Sequence, residues 1–176
     1  MKRNRVLFVI DNPRRELWGI RRVAKKLSQY GFVCHIISKL VARKYIYISK
    51  PDICILPRIK PDFDSLVGEL GNEVQFFHIP SEHGLDFEIK LINNLYGLQS
   101  PHPKNLDKVE KIYLPGNFSK NVVIKNSIYT KKQIKVTGTL NADRWKIEKK
   151  NNYEYPIFPK KELNIGVSTT FKSFVF

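Results

Sequence analysis

A carboxylate flanked by two histidines lies in residues 78–84, which read His-Ile-Pro-Ser-Glu-His-Gly. A carboxylate flanked by histidines can take a proton from a hydroxyl, while an imidazole tunes its pKa or holds a phosphate nearby. Glu82 is therefore a candidate general base, with His78 and His83 as its helpers. The same residues also suit a helix start with Ser81 as N-cap, so a structural interpretation stays open.

Two further clusters combine polar residues with turn-forming ones. In residues 11–17 (DNPRREL), Arg14 and Arg15 could grip an anionic group, or could be solvated arginines beside a capped turn. In residues 136–144 (VTGTLNADR), Gly138 permits a tight turn with close approach of another backbone, and Asp143 could bind a hydroxyl or pin a domain hinge. A plain strand-to-linker turn explains the third cluster equally well.

All three clusters follow apolar runs in an alternating strand and helix pattern. The predicted strands are 6–10, 32–37, 52–56, 74–79, 111–114 and 133–136. Helices are predicted over residues 16–30, 63–70 and within 87–95, and the first of them ends at Gly31. A further helix is predicted to begin after Asn117 or Ser119 as its N-cap. Residues 39–48 are predicted to be mixed helical or irregular. The pattern predicts a doubly wound, mostly parallel α/β sheet, which binds ligands at the carboxyl ends of its strands.

Composition and missing motifs exclude several classes of protein. No GxGxxG turn follows the first strand, and no GxxxxGK[ST] loop, GxSxG elbow or HExxH motif is present. Cys34 and Cys54 lie in apolar runs without metal-ligand spacing, so we predict reduced cysteines and no metal site. The apolar runs are also far shorter than the roughly 20 residues of a membrane-spanning helix.

The formal charge of +15 is concentrated at the two ends of the chain. Residues 1–50 carry +11 and residues 104–176 carry +9, whereas residues 51–103 carry −5. Basic ends suit an anionic membrane face, anionic sugar nucleotides or nucleic acid. Because most aromatic residues lie in predicted core strands and not among surface lysines, nucleic-acid binding is the weakest of these interpretations.

The domain plan predicted from this pattern has one full domain and the beginning of a second. Residues 1–148 form a Rossmann-like N-terminal domain, and residues 149–162, with Pro156 and Pro159, form a linker. Residues 163–176 read as the first strand of an otherwise missing C-terminal domain, because so short a piece cannot bury a core of its own.

Taken in order, the three clusters resemble the N-terminal domain of surface carbohydrate biosynthesis proteins (capsule or lipopolysaccharide) of the GT-B glycosyltransferase type. The matching motifs are residues 15–17 (REL), residues 80–84 (PSEHG) and residues 136–143 (VTGTLNAD). The two later motifs also resemble the sugar-nucleotide 2-epimerases. This sequence departs from the family pattern at His83, which stands between Glu82 and Gly84, and at 139–141, where Thr-Leu-Asn replaces Asn-Pro-Arg.

The resemblance implies a glycosyltransferase of cell-surface polysaccharide, cytoplasmic or peripheral at the inner membrane face. Glu82 would deprotonate a saccharide or lipid-linked acceptor. The residues expected to contact substrate or shape the cleft are Arg14, Arg15, Ser81, His83, Gly84, Gly138 and Asp143. The nucleotide-sugar donor would bind mainly to the missing domain, so this chain alone is expected to hold no cofactor and to be inactive unless a partner chain supplies that domain. The alternatives are a 2-epimerase-like domain and a basic, non-catalytic nucleic-acid-binding domain.

Overall fold

The computed structural model describes residues 4–59, 61–80, 103–126 and 128–138. Strands and helices alternate along the chain, as predicted. In order they are β1 (Arg5–Ile10), α1 (Pro13–Gln29), β2 (Val33–Ser38), α2 (Lys39–Ser49), β3 (Ile53–Leu56), α3 (Pro61–Leu70), β4 (Gln75–His78), β5 (Val109–Leu114), α4 (Asn117–Lys125) and β6 (Ile134–Val136). A 3-10 turn, Leu106–Lys108, precedes β5.

The strands of the described residues form one parallel sheet in the order β2-β1-β3-β4-β5-β6. The chain steps from β1 to β2 in one direction and then places β3 to β6 on the other side of β1. This reversal puts a topological switch point between β1 and β3. The predicted class, a doubly wound Rossmann-like parallel sheet, is confirmed.

The two faces of the sheet are covered by different helices. Because β1 to β2 is the only step in its direction within the described sheet, right-handed crossovers place α1 on one face and α2, α3 and α4 on the other. Val6, Phe8 and Ile20 belong to the core under α1, whereas Ile46, Leu66 and Val123 belong to the larger core under the other helices. Cys54 lies in that larger core, where burial raises the pKa of its thiol.

Charged groups at the amino edge of the sheet tie β1 to α2. The Arg5 guanidinium donates hydrogen bonds to the carbonyl oxygens of Ser49 (2.8 Å) and Lys50 (2.7 Å), where α2 ends. A cation is favoured there because the last carbonyls of a helix carry a partial negative charge. Asp52 accepts a hydrogen bond from the Arg5 backbone N–H at 2.7 Å.

Two local predictions are corrected by the structure. Residues 39–49 form a regular helix, α2, and not a mixed segment. The N-cap of α4 is Gly116, and neither Asn117 nor Ser119 caps that helix; Ser119 is buried. The predicted helix within 87–95, the linker and the last strand lie outside the described residues, so the domain boundaries stay predictions. In the part of the chain described here, no helix has the length and apolar character needed to span a bilayer.

Candidate functional site

Asp11, at the tip of β1, is paired with two cations that come from the neighbouring strands. Its carboxylate contacts the Lys39 ammonium, which follows β2, and the Arg58 guanidinium, which follows β3. Because β2 and β3 flank β1, the three side chains converge at the carboxyl edge, at the switch point where open α/β sheets place ligands. The Asp11 side chain is only 9% exposed.

Side chains of the chain itself occupy three backbone donors at the start of α1. Glu16 is buried, and its carboxylate accepts hydrogen bonds from the backbone N–H groups of Asp11 (2.7 Å) and Asn12 (3.2 Å). The Asn12 side chain caps the helix by accepting from the Arg14 N–H at 3.1 Å, and Pro13 has no N–H to offer. Fewer backbone donors are therefore left here for a phosphate than at an uncapped helix start.

The Asp11 cluster has the donors to bind an anion through the side chains of Lys39 and Arg58. A guanidinium carries five N–H donors and an ammonium carries three, more than the two oxygens of Asp11 can accept. Arg58 is about one-quarter exposed and Lys39 about two-fifths exposed, so solvent and ligands reach both. A phosphate or carboxylate of a substrate would complete their hydrogen bonding, with Asp11 fixing their positions.

Among the site residues predicted from the sequence, Arg14 and Gly138 lie in the described part of the chain. Arg14 is exposed in the first turn of α1, at the same edge as Asp11. Gly138 has a φ of +85°, in the left-handed region that favours glycine. Its conformation therefore favours glycine, whereas among the described residues no atom beyond its chain neighbours lies within 4 Å of where a Cβ would stand, so the close approach of another backbone stays a prediction. The other predicted site residues lie outside the part of the chain that the structure describes. They are Ser81, Glu82, His83, Gly84, Asp143 and, for its side chain, Arg15.

Residues of the 78–84 cluster and of the 136–144 cluster line one apolar cavity of about 380 Å³ on the α1 face of the sheet. Pro80, which precedes the Ser-Glu-His-Gly residues, and Thr137 and Gly138, which follow β6, all line this cavity. Phe77 and Tyr113 stack on its sheet side with ring centroids 6.3 Å apart. Burial raises the pKa of the Tyr113 hydroxyl, so it is protonated at neutral pH.

His78 is a core residue and not a phosphate ligand, contrary to one prediction. It is 1% exposed at the end of β4, and its Nδ1 is hydrogen-bonded to the Tyr129 hydroxyl at 2.9 Å. The alternation of the strand explains this position, because His78 faces the larger core while Phe77 faces the cavity. Within the residues that the structure describes, no group of three or more His, Cys, Asp or Glu side chains is placed to hold a metal ion.

Comparisons with known proteins identify the fold. No family model matches the chain, and a search of curated proteins finds no significant match. Among solved structures, MnaA of S. aureus in complex with UDP is similar, with a TM-score of 0.59. The two proteins share a fold. Their sequences are 13% identical over 87% of this chain and 48% of MnaA, so this chain spans about half the length of that structure. The comparison therefore agrees with the Rossmann-like α/β fold, because the similar structure is itself GT-B-like.

Sequence reasoning missed Lys39 and Arg58, and it treated Asp11 only as part of a turn. One signal was available, because each of the three residues follows a predicted strand at a carboxyl end. What the local pattern does not reveal is that β2, β1 and β3 are neighbours in this order, which brings the three side chains together.

Proposed function

We propose that this chain is the acceptor-side half of a glycosyltransferase that uses a nucleotide sugar to build cell-surface polysaccharide. The observation that carries the proposal is the charged cluster at the switch point, where the partly exposed Lys39 and Arg58 side chains pair with Asp11. The fold shared with about half of MnaA in its UDP complex supports a nucleotide-sugar enzyme. The family resemblance of the three clusters supports a transferase.

The closed start of α1 supports an acceptor role and not a donor role for this half. Since Glu16 takes the backbone N–H groups of Asp11 and Asn12, and Asn12 takes that of Arg14, three backbone donors at this position are already occupied and fewer are left for a nucleotide pyrophosphate. Lys39 and Arg58 would instead hold the phosphate or carboxylate of an acceptor sugar. The nucleotide would bind mainly to a second domain or to a partner chain.

In the proposed reaction, Glu82 removes the proton of the acceptor hydroxyl as that oxygen bonds to the anomeric carbon of the donor. The bond from the anomeric carbon to the nucleoside diphosphate breaks, and the diphosphate leaves with the electron pair. Glu82 follows Pro80 by two residues in the sequence, and Pro80 lines the cavity together with Gly138. The residues proposed to contact the acceptor or the pyrophosphate, or to shape the hinge, are Ser81, His83, Gly84, Arg14, Arg15 and Asp143.

The test is a transfer assay on this chain co-expressed with the reading frame that follows its gene. Release of nucleoside diphosphate should require an acceptor, and Glu82→Gln should lower the rate at least a hundredfold with unchanged thermal unfolding. Glu110→Gln, an exposed carboxylate on β5, is the matched control and should keep full activity. Retained activity in Glu82→Gln would remove Glu82 from the base role. Conversion of the nucleotide sugar without any acceptor would instead identify a 2-epimerase.

A further inference from the structure

The outer face of α2 is apolar where a surface helix is usually polar. Leu40 is 86% exposed, Ile48 is 74% exposed and Val41 is 56% exposed. Leu40, Lys44 and Ile48 follow one another at intervals of four residues, so they form one stripe along the helix. Isolated exposed aliphatic side chains are common, but three on one face of a helix, Leu40, Val41 and Ile48 with Lys44 between them, indicate an interaction surface.

This apolar stripe is not needed for packing inside the molecule. Ala42 and Ile46 are the buried residues of α2, and both belong to the core between α2 and the sheet. Tyr45 and Tyr47 pack against that core from the flanks. The stripe therefore points away from the sheet, near the edge strand β2.

The charge around the stripe favours an anionic partner. Every charged residue in 39–50 is basic, namely Lys39, Arg43, Lys44 and Lys50. Lys39 pairs with Asp11 and Lys50 with Glu73 at 2.6 Å, so the argument depends on Arg43 and Lys44. Arg43 also lies over the Tyr47 ring at 6.0 Å, a pair suited to the polar boundary of a bilayer. Its ion pair with Glu69 is long, at 4.0 Å, and both side chains are about half exposed. Lys44 lies within the stripe, where its aliphatic stem adds apolar contact and its ammonium can reach a lipid phosphate.

We propose that the α2 face, defined by Leu40, Val41, Lys44 and Ile48, docks on an anionic lipid bilayer. Apolar side chains enter the boundary between headgroups and acyl chains while lysine and arginine contact the anionic headgroups. A second copy of this chain fits less well, because a two-fold contact through the stripe would bring Lys44 towards Lys44 of the copy. The surface begins beside the Asp11 cluster, since Leu40 directly follows Lys39, so its test substitutes neither Lys39 nor Arg58 and measures vesicle binding and not sugar transfer.

The test is co-sedimentation of the full chain with vesicles of phosphatidylcholine, with or without phosphatidylglycerol. The chain should bind vesicles that contain phosphatidylglycerol, and binding should weaken as salt is added. Leu40→Ser combined with Ile48→Ser should weaken binding at least tenfold, since two aliphatic side chains lose their contact with the bilayer. Lys44→Glu should weaken it roughly 30-fold, because one favourable charge becomes a repelled one.

Matched controls come from the opposite edge of the sheet. Phe118→Ser removes an exposed apolar residue of α4, and Lys131→Glu reverses an exposed lysine before β6; both should bind within about twofold of the unchanged chain. Equal loss in the controls, or no loss in the α2 variants, would overturn the proposal. A dimer seen by analytical ultracentrifugation that the α2 substitutions dissociate would assign the face to a second copy instead. None of these readouts depends on sugar transfer.

Discussion

At the scale of single residues, Asp11 organises the carboxyl edge of the sheet. Its carboxylate is almost fully buried between the Lys39 and Arg58 side chains. A buried carboxylate is costly without partners, because its lost hydration must be replaced by hydrogen bonds and opposite charge. The two cations therefore stabilise Asp11, and Asp11 in turn fixes them where a ligand anion would bind.

Removing one cation should lower stability measurably. Arg58→Ala leaves Asp11 with Lys39 as its described cationic partner, so we expect the free energy of unfolding to fall by about 1.5 kcal/mol in urea denaturation. Arg21→Ala is the control, because Arg21 is exposed on α1, and it should change stability by less than about 0.5 kcal/mol. If the two variants were equally stable, Arg58 would not compensate the buried charge.

At the scale of secondary-structure elements, α3 is clamped to the segment that enters β5. The buried Asp64 carboxylate accepts hydrogen bonds from the backbone N–H groups of Lys104 (3.0 Å) and Asn105 (2.9 Å). The Asn105 side chain donates back to the Asp64 carbonyl at 3.1 Å and lies against Gly68, one turn further along α3. The clamp thus fixes where β5 begins relative to α3.

Gly68→Ala should loosen this clamp. A Cβ at position 68 would lie 2.8 Å from the Asn105 side chain, so the variant should lose about 1–3 kcal/mol of stability although alanine is the better helix former. The same substitution in an Asn105→Ala background should be neutral or stabilising, because the atoms that it strikes are gone. Thermal unfolding of the four proteins checks this, and equal effects in both backgrounds would contradict the contact.

The elements that were predictable from the sequence are those with an unbroken pattern. The apolar runs of β1 to β6 predicted the strands within a residue or two, and α1 has a clear apolar face. The helical pattern of α2 was obscured because it buries only Ala42 and Ile46 and exposes Leu40 and Ile48. At α4, the sequence favoured Asn117 or Ser119 as the N-cap. The structure has Gly116 as the N-cap, with an extended backbone and no side-chain hydrogen bond.

The location of the candidate site, at the carboxyl edge of the sheet, was predictable from the sequence, but only some of its residues were. Arg14 lies at the predicted edge, and Pro80 and Gly138 line one cavity as strand ends should. The pairing of Asp11 with Lys39 and Arg58 depends on strand order, which is set by long-range packing and not by local residue pattern. The burial of His78 likewise follows from which face of β4 it occupies.

At the scale of the whole molecule, two surfaces with different chemistry lie on one α/β domain. The carboxyl edge offers Lys39 and Arg58 to a small anion, and the α2 face offers Leu40, Lys44 and Ile48 to an anionic bilayer. A lipid-linked acceptor carries both kinds of group, a phosphate beside its sugar and an apolar chain in the membrane. The proposed function and the proposed docking face are therefore compatible, although each is tested independently.

The proposed function requires that the carboxyl edge bind an acceptor anion in preference to the nucleotide. A titration of the ¹⁵N-labelled chain with a hexose 1-phosphate, and separately with UDP, measures this preference through the amide chemical shifts. We predict that the hexose 1-phosphate shifts the amides of Asp11, Lys39 and Arg58 and that Arg58→Ala weakens its binding at least tenfold. UDP should bind at these residues at least tenfold more weakly, because the backbone N–H groups of Asp11, Asn12 and Arg14 are already taken. UDP binding there as tight as or tighter than that of the hexose phosphate would contradict the acceptor role.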